Sequence, residues 1–316
     1  MIFPKSCVPR KCKEFQNQTE ISVIKREELD ALAHPAQYSI KQIIYQIASF
    51  VLFLGPIRLI INFFVLLFVI SILLIYKFVL KTFQISAKMG RDFCLGLARF
   101  GIRVTLFGFG VVYIKTEGRF DNQSRFIVSN HVSFLDYFIV LLFHDYVSVV
   151  DESLRYIPLV PDIIESVNPL YVDFGKKKRY EKMVFDRADD FHSPPILIFP
   201  EGLPCGQGSS LMKFEDTPFL TPYKVQPLTV RYHMSCTPEG WNSYQYQGES
   251  LWIYFFRLLA MPPSVLSIHF LPVMSAENDA KSDVSMFPKV AQISVANFIG
   301  IRAVSKSRKI EAKRYD

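Results

Sequence analysis

The 316-residue sequence predicts an α/β fold. The expected architecture is a mixed, mostly parallel sheet with flanking helices, preceded by an N-terminal membrane-embedded helical hairpin. Three observations predict it. Short apolar strand patterns alternate with helical ones through the second two-thirds of the chain. One long apolar run, residues 43 to 80, exceeds an ordinary core helix. Polar residues gather where apolar strands end, which is where α/β folds place their chemistry.

In chain order, residues 1 to 41 are polar, mixed in charge and rich in Lys/Arg, and read as a cytosolic arm without a signal-peptide pattern. Residues 42 to 82 hold the membrane segment. Gly55-Pro56 interrupts the apolar run, and Arg58 and Asn62 follow the break. Leu59 to Tyr76 is just long enough to cross a bilayer, whereas Ile43 to Leu54 is too short. Residues 1 to 41 carry seven Lys/Arg and residues 77 to 103 carry six, so both flanks prefer the cytosol. A helix-Pro-helix hairpin is therefore expected in preference to a single span.

Residues 83 to 300 are the expected α/β domain. An amphipathic helix opens it, followed by strands at Val104–Phe109 and Val111–Thr116. Further strands are expected at Arg125–Asn130, Tyr146–Val150, Leu170–Phe174, Ile196–Pro200, Val225–Tyr232 and Ser267–Val273. Helices are expected from near Ser133, from near Lys177 and over Ser285–Phe298. Leu251–Met261, with Trp252, Tyr254, Phe255 and Phe256, reads equally as an interfacial helix or a core helix. Residues 301 to 316 form a basic tail.

Half of the residues are hydrophobic and the formal net charge is +7. A basic, apolar protein suits an anionic lipid surface or a phosphorylated substrate. Nucleic acid is the competing basic partner, but zinc-finger spacing, homeodomain-like helices and aromatic-basic sheet patterns are missing. The five cysteines (Cys7, Cys12, Cys94, Cys205, Cys236) are scattered and odd in number, and read as reduced thiols.

The chain is organised around Val128–Tyr137, V-S-N-H-V-S-F-L-D-Y. His131 and Asp136 are five residues apart, a spacing that turns them away from each other on one continuous helix. They meet only if His131 lies in a turn and Asp136 in the first helical turn. Ser133 fits as N-cap, and Ser133-x-x-Asp136 reads as a capping box. Taken alone, the pair also fits a turn histidine beside a helix-terminal carboxylate. A second constellation, Phe199-Pro200-Glu201-Gly202, closes an apolar strand and opens a Gly-rich loop. A third is Asp173 followed by Lys176, Lys177, Lys178 and Arg179 at another strand end. There, basic side chains can hold a phosphate or simply form a solvated face.

In this order, Asn130-His131-x-x-x-x-Asp136, Phe199-Pro200-Glu201-Gly202 and the Val225–Leu228 strand resemble the PlsC-type glycerolipid and lysophospholipid acyltransferases. Within them, S-N-H-V at Ser129–Val132, P-P-I-L-I-F-P-E at Pro194–Glu201, V-Q-P-L-T at Val225–Thr229 and L-W-I-Y-F-F-R-L-L-A-M-P from Leu251 are most similar to the ancient ubiquitous protein group of lipid-droplet and endoplasmic-reticulum proteins. The lysophosphatidylcholine acyltransferases come next, through V-R-Y at Val230–Tyr232 and F-L-P-V at Phe270–Val273. Leu203 departs from the Thr or Ser that the family places after F-P-E-G, and Phe174 from the Arg that it places after the second-motif Asp.

The resemblance implies a membrane-bound acyltransferase. It would move an acyl chain from acyl-CoA, a co-substrate, to a hydroxyl of a glycerolipid or lysophospholipid, with no bound cofactor or metal. His131 and Asp136 would be catalytic. Phe199, Pro200, Glu201, Gly202, Asp173, Lys176, Lys177 and Arg179 would contact substrate. Membrane lipids, acyl-CoA and a lysophospholipid or glycerol-phosphate acceptor would be the partners, on the endoplasmic reticulum and lipid droplets with the catalytic domain cytosolic. The alternative is a non-catalytic adaptor of the ancient ubiquitous protein type, with partners in protein degradation.

Overall fold

The computed structural model describes residues 17–22, 40–52, 55–83, 87–156, 169–202, 210–234, 244, 250–279, 283 and 285–305. Most of the N-terminal arm, the Gly-rich loop from Leu203, and Cys7, Cys12, Cys205 and Cys236 lie outside them.

The apolar N-terminal run forms α1 (Ile40–Leu52) and α2 (Gly55–Phe83), divided where Gly55-Pro56 was expected to divide it. At 29 residues, α2 is about 43 Å long. Its end at Phe83 falls within one residue of the expected boundary at residue 82. It lies antiparallel to α3 (Ala87–Gly108), with Asn62 against Gly108 and Val69 against Gly101. A Cβ on Gly108 would stand 2.2 Å from the Asn62 amide, so glycine permits the close approach there. The expected strand at Val104–Phe109 is instead the last turn of α3. Leu95 and Leu106, both buried, continue a helical apolar face, and this outweighs the strand propensity of the β-branched Val104-Thr105 pair.

A seven-stranded sheet follows. Its strands are β1 (Val111–Glu117), β2 (Phe126–Ser129), β3 (Val147–Asp151), β4 (Leu170–Val172), β5 (Ile196–Ile198), β7 (Val225–Met234) and β8 (Ser264–Phe270), in the order β1-β8-β7-β2-β5-β3-β4. β7, β2, β5, β3 and β4 run parallel, whereas β8 is antiparallel to β7 and carries β1 with it. The sheet is thus mixed and mostly parallel, as expected. β8 begins three residues before the expected start, and the chain leaves the strand ahead of Pro272. β6 (Ser210–Leu211) and β9 (Arg302–Ala303) form a separate parallel pair. The domain therefore runs past residue 300, because Ile301, Ala303 and Val304 are buried in it.

The helices are α4 (Asp136–Leu141), α5 (Lys177–Asp189), α6 (Leu251–Leu259), α7 (Ala276–Asp279) and α8 (Phe287–Ile299). Two cores flank the sheet, and β2 feeds both: Phe126 and Val128 pack on the α5 and α8 side, Ile127 on the α3, α4 and α6 side. A strand buried on both faces has the continuous apolar sequence seen here. α6 answers its two sequence readings together. Tyr254, Arg257, Leu258 and Leu259 are buried, while Trp252 is 85% exposed and Ile253, Phe255 and Phe256 are also exposed.

The arm returns to the domain. The Gln18 amide N–H donates to Asn297 Oδ1 at 3.0 Å, its side chain donates to the Ile301 carbonyl at 2.7 Å and accepts from the Ala303 amide at 3.0 Å, and Ser22 bridges to Val304.

Candidate active site

β2 ends at Ser129, and the chain turns through Asn130–Leu135 before α4 starts at Asp136. Asn130 fixes the turn to β7: its Nδ2 donates to the Val230 carbonyl and its Oδ1 accepts from the Val230 amide, both at 2.9 Å. His131 therefore lies in the turn and Asp136 in the first helical turn, the arrangement that their spacing requires. His131 Nδ1 stands 3.0 Å from Asp136 Oδ2, with the two side chains 4% and 0% exposed. The same oxygen accepts the Val132 amide at 2.6 Å and the Ser133 amide at 2.8 Å. Oδ1 accepts the Tyr232 hydroxyl at 2.8 Å.

The capping box takes a shifted form. α4 is flanked by Leu135, and no side chain caps it. Asp136 does reach back to Ser133, but the Ser133 hydroxyl accepts from the Leu135 amide at 3.1 Å and meets the Tyr254 hydroxyl of α6 at 2.6 Å. The reason is local: the Asp136 amide already donates to the Ser133 carbonyl at 3.0 Å, so the hydroxyl is left for its nearer neighbour.

The Phe199–Gly202 segment closes the other side of the turn. The Phe199 ring stacks on His131, centroids 4.2 Å apart, and Tyr137 packs edge-on to both. Glu201, expected at the acceptor, turns inward and is 3% exposed. Its Oε2 accepts the His131 amide and its Oε1 the Met212 amide, each at 3.0 Å. Gly202 adopts φ +80°, a left-handed conformation that favours glycine.

Asp173, Lys176, Lys177 and Arg179 lie at the carboxyl end of β4 and the start of α5. They share the sheet edge with His131, but β4 is three strands from β2, about 14 Å at ordinary strand spacing. Lys176 pairs with Asp173 at 3.1 Å and Lys177 with Glu181 at 3.5 Å. The side chain of Lys176 holds the Asp173 carboxyl below its ordinary range, with the Gly175 amide contributing.

Three residues were not legible as site residues: Tyr232, Tyr254 and Met212. Tyr232 is 96 positions from Asp136, and only its inward alternation on the β7 strand pattern pointed to burial. Its phenol is pushed well above the ordinary tyrosine range by burial first and by the Asp136 charge second, so it is a donor at Asp136.

The geometry gives an imidazole whose Nδ1 is committed to an acceptor-only carboxylate. That fixes Nε2 as the proton-accepting nitrogen. Buried carboxylate, ordered imidazole and a hydrophobic cover are together what a general-base dyad requires.

Residues 112–229 match the Acyltransferase family profile. Residues 112–229 thus form an acyltransferase domain, and the chain has the PlsC fold. Over 216 residues it is 25% identical to the lysophospholipid acyltransferase LPEAT2 of Arabidopsis thaliana, covering 67% of this chain and 39% of that protein. It is 28% identical over 234 residues to the lipid droplet-regulating VLDL assembly factor AUP1 homolog of Caenorhabditis elegans, covering 72% of this chain and 55% of that one. The chain thus spans about half or less of the length of these relatives. The crystal structure of the 1-acyl-sn-glycerophosphate (LPA) acyltransferase PlsC from Thermotoga maritima superposes with a TM-score of 0.52 at 16% identity, covering 77% of this chain and 96% of that one. At that identity the likeness establishes the fold.

Proposed function

We propose that this protein is a membrane-bound O-acyltransferase that moves an acyl chain from acyl-CoA to a hydroxyl of a glycerolipid or lysophospholipid. The observation that carries the reading is the 3.0 Å contact of His131 Nδ1 with Asp136 inside an acyltransferase domain. In the reaction, His131 Nε2 takes the acceptor's hydroxyl proton as its oxygen bonds to the thioester carbonyl carbon. Asp136 stabilises the imidazolium that forms. The tetrahedral intermediate collapses, the C–S bond breaks, and the leaving thiolate of CoA takes the proton from Nε2. Acyl-CoA and acceptor become ester and free CoA without an acyl-enzyme. Phe199 covers the imidazole, Glu201 secures the His131 backbone, and Pro200 and Gly202 shape the approach. Asp173 with Lys176, Lys177 and Arg179 receives a phosphorylated head group at the same sheet edge.

Membrane attachment is supported by α2, whose residues 55–72 are long and apolar enough to cross a bilayer and are 11% buried. It is supported also by the exposed Trp252, Phe255 and Phe256 of α6. Arg58 at the base of α2 donates to the Met261 carbonyl at 2.6 Å, which fixes that aromatic face beside the membrane helix. The hydrogen bonds of Gln18 to Asn297, Ile301 and Ala303 favour a topology with both flanks of the apolar segment on the catalytic domain's side. We place that side in the cytosol, on the endoplasmic reticulum and lipid droplets.

A second reading has one specific observation behind it, the 28% identity to the nematode AUP1 homolog: an adaptor on a retained fold, with partners in lipid-droplet biology or protein degradation. Purified protein assayed with acyl-CoA against a panel of lysolipids and glycerol 3-phosphate separates the two. Ester formation is expected; no turnover with any acceptor favours the adaptor.

A further inference from the structure

We infer that Tyr232 is a positioning residue for the dyad, tuning the basicity of His131 through the far oxygen of Asp136. The inference rests on the acyl-transfer reading of this site. Asp136 divides its two oxygens between different tasks. Oδ2 serves His131 and the two turn amides, while Oδ1 accepts the Tyr232 hydroxyl at 2.8 Å. A phenol donor on Oδ1 draws negative charge away from Oδ2, and so limits how strongly the carboxylate stabilises a protonated imidazole.

The phenol is built to stay in place. Tyr232 is 1% exposed, and its ring stacks on Tyr244 with centroids 4.2 Å apart and planes at 16°. Tyr244 is anchored through its hydroxyl to the Phe109 carbonyl at 2.9 Å and to Ser264 Oγ at 2.6 Å. Tyr254 donates to the Tyr244 carbonyl at 3.0 Å and meets Ser133 of the catalytic turn at 2.6 Å. Tyr232 of β7, Tyr254 of α6 and Tyr244 thus hold the turn through Asp136 and Ser133. Other titratable groups face the dyad too: Tyr137 from α4 lies beside Asp136, and the Glu201 carboxylate meets the His131 backbone. Of these tyrosines, only Tyr232 gives its proton to the Asp136 carboxylate in the hydrogen bonds described.

The test is the pH profile of acyl transfer in Tyr232→Phe, which keeps the ring and its stack on Tyr244. The imidazole becomes more basic when Oδ1 loses its donor, so the acid limb of kcat/KM moves to higher pH by about one unit, with KM for acyl-CoA unchanged. Replacing Tyr232 by 3,5-difluorotyrosine, a stronger donor of the same shape, moves the limb to lower pH. An active wild type whose acid limb stays put in both Tyr232 variants overturns the inference alone. A wild type inactive on every acceptor overturns the acyl-transfer reading and this inference with it. If Tyr232→Phe fails to fold, the fluorinated protein decides, since its shape is conserved: a downward shift supports the inference and no shift overturns it.

Discussion

Glu201→Gln isolates the role of the Phe-Pro-Glu-Gly segment. The Glu201 carboxylate accepts two backbone amides, those of His131 and Met212, at 3.0 Å each and almost without solvent. An amide side chain has one oxygen and one NH2. Either way round, one backbone N–H then faces a donor. Leaving a buried donor unpaired costs about 1–3 kcal/mol, and turning the other charge-assisted bond into a neutral one costs about 1 kcal/mol more. The predicted loss is about 2–4 kcal/mol, a fall in Tm of about 4–16 °C for a domain of this size. Whichever amide loses its partner, the charge-assisted clamp between the His131 turn and Met212 weakens, so the turn loosens at the proposed general base. Turnover should fall while KM for the acceptor holds. Thermal unfolding of detergent-solubilised protein and steady-state kinetics measure both. An unchanged Tm with a raised acceptor KM would refute the framework role and return Glu201 to substrate contact.

Charge reversal at Lys176, Lys177 and Arg179 should raise KM for a phosphorylated acceptor more than for an unphosphorylated one; equal KM values would make the run a solvated face, consistent with the pairs Lys176–Asp173 and Lys177–Glu181. Translation with microsomes should leave both sequons, Asn17-Gln18-Thr19 and Asn122-Gln123-Ser124, without glycan, because the Gln18 contacts join the two flanks; an endoglycosidase-sensitive shift from Asn17 alone would contradict that topology. Burial foremost, with Arg231 and other nearby cations adding to it, lowers His233 from its ordinary value to about 4. The folded state then resists a proton that the unfolded chain accepts, so His233 contributes stability above pH 6.5 that is lost as pH falls toward 4. Denaturation midpoints should drop across that window, and less steeply in His233→Gln; parallel curves would assign the drop to other groups.

The fold was legible where one physical signal dominated. The apolar runs at residues 126–128 and 196–198 could be buried on both faces only as central parallel strands, and they flank each other in the sheet. The five-residue spacing of His131 and Asp136 demanded a turn followed by a helix start, and the structure has both. The strand assigned to Val104–Phe109 failed because the helical period that began more than a dozen residues earlier runs through it. The reach of the arm could not be read, since Gln18 binds residues about 280 positions away and nothing local marks such contacts. Tyr232 was hidden in the same way, 96 positions from Asp136, whereas Met212, only 11 positions from Glu201, contributes a backbone amide that no side-chain pattern marks. Glu201 was legible as a strand-end carboxylate, but its direction was not: whether such a group faces a ligand or the backbone depends on the amides brought to it by β6 and the catalytic turn.

The central claim is that His131 is a general base held by Asp136 for acyl transfer. Its most direct test is the rate of acyl-CoA-dependent ester formation by wild type and His131→Ala, on the acceptor the wild type prefers, with matched Tm. Removing a general base should lower kcat by about 10²–10⁴-fold, with the folded protein intact because the His131 side chain contributes no hydrogen bond to the turn other than that to Asp136 among the contacts described. Equal rates in the two proteins would contradict the account.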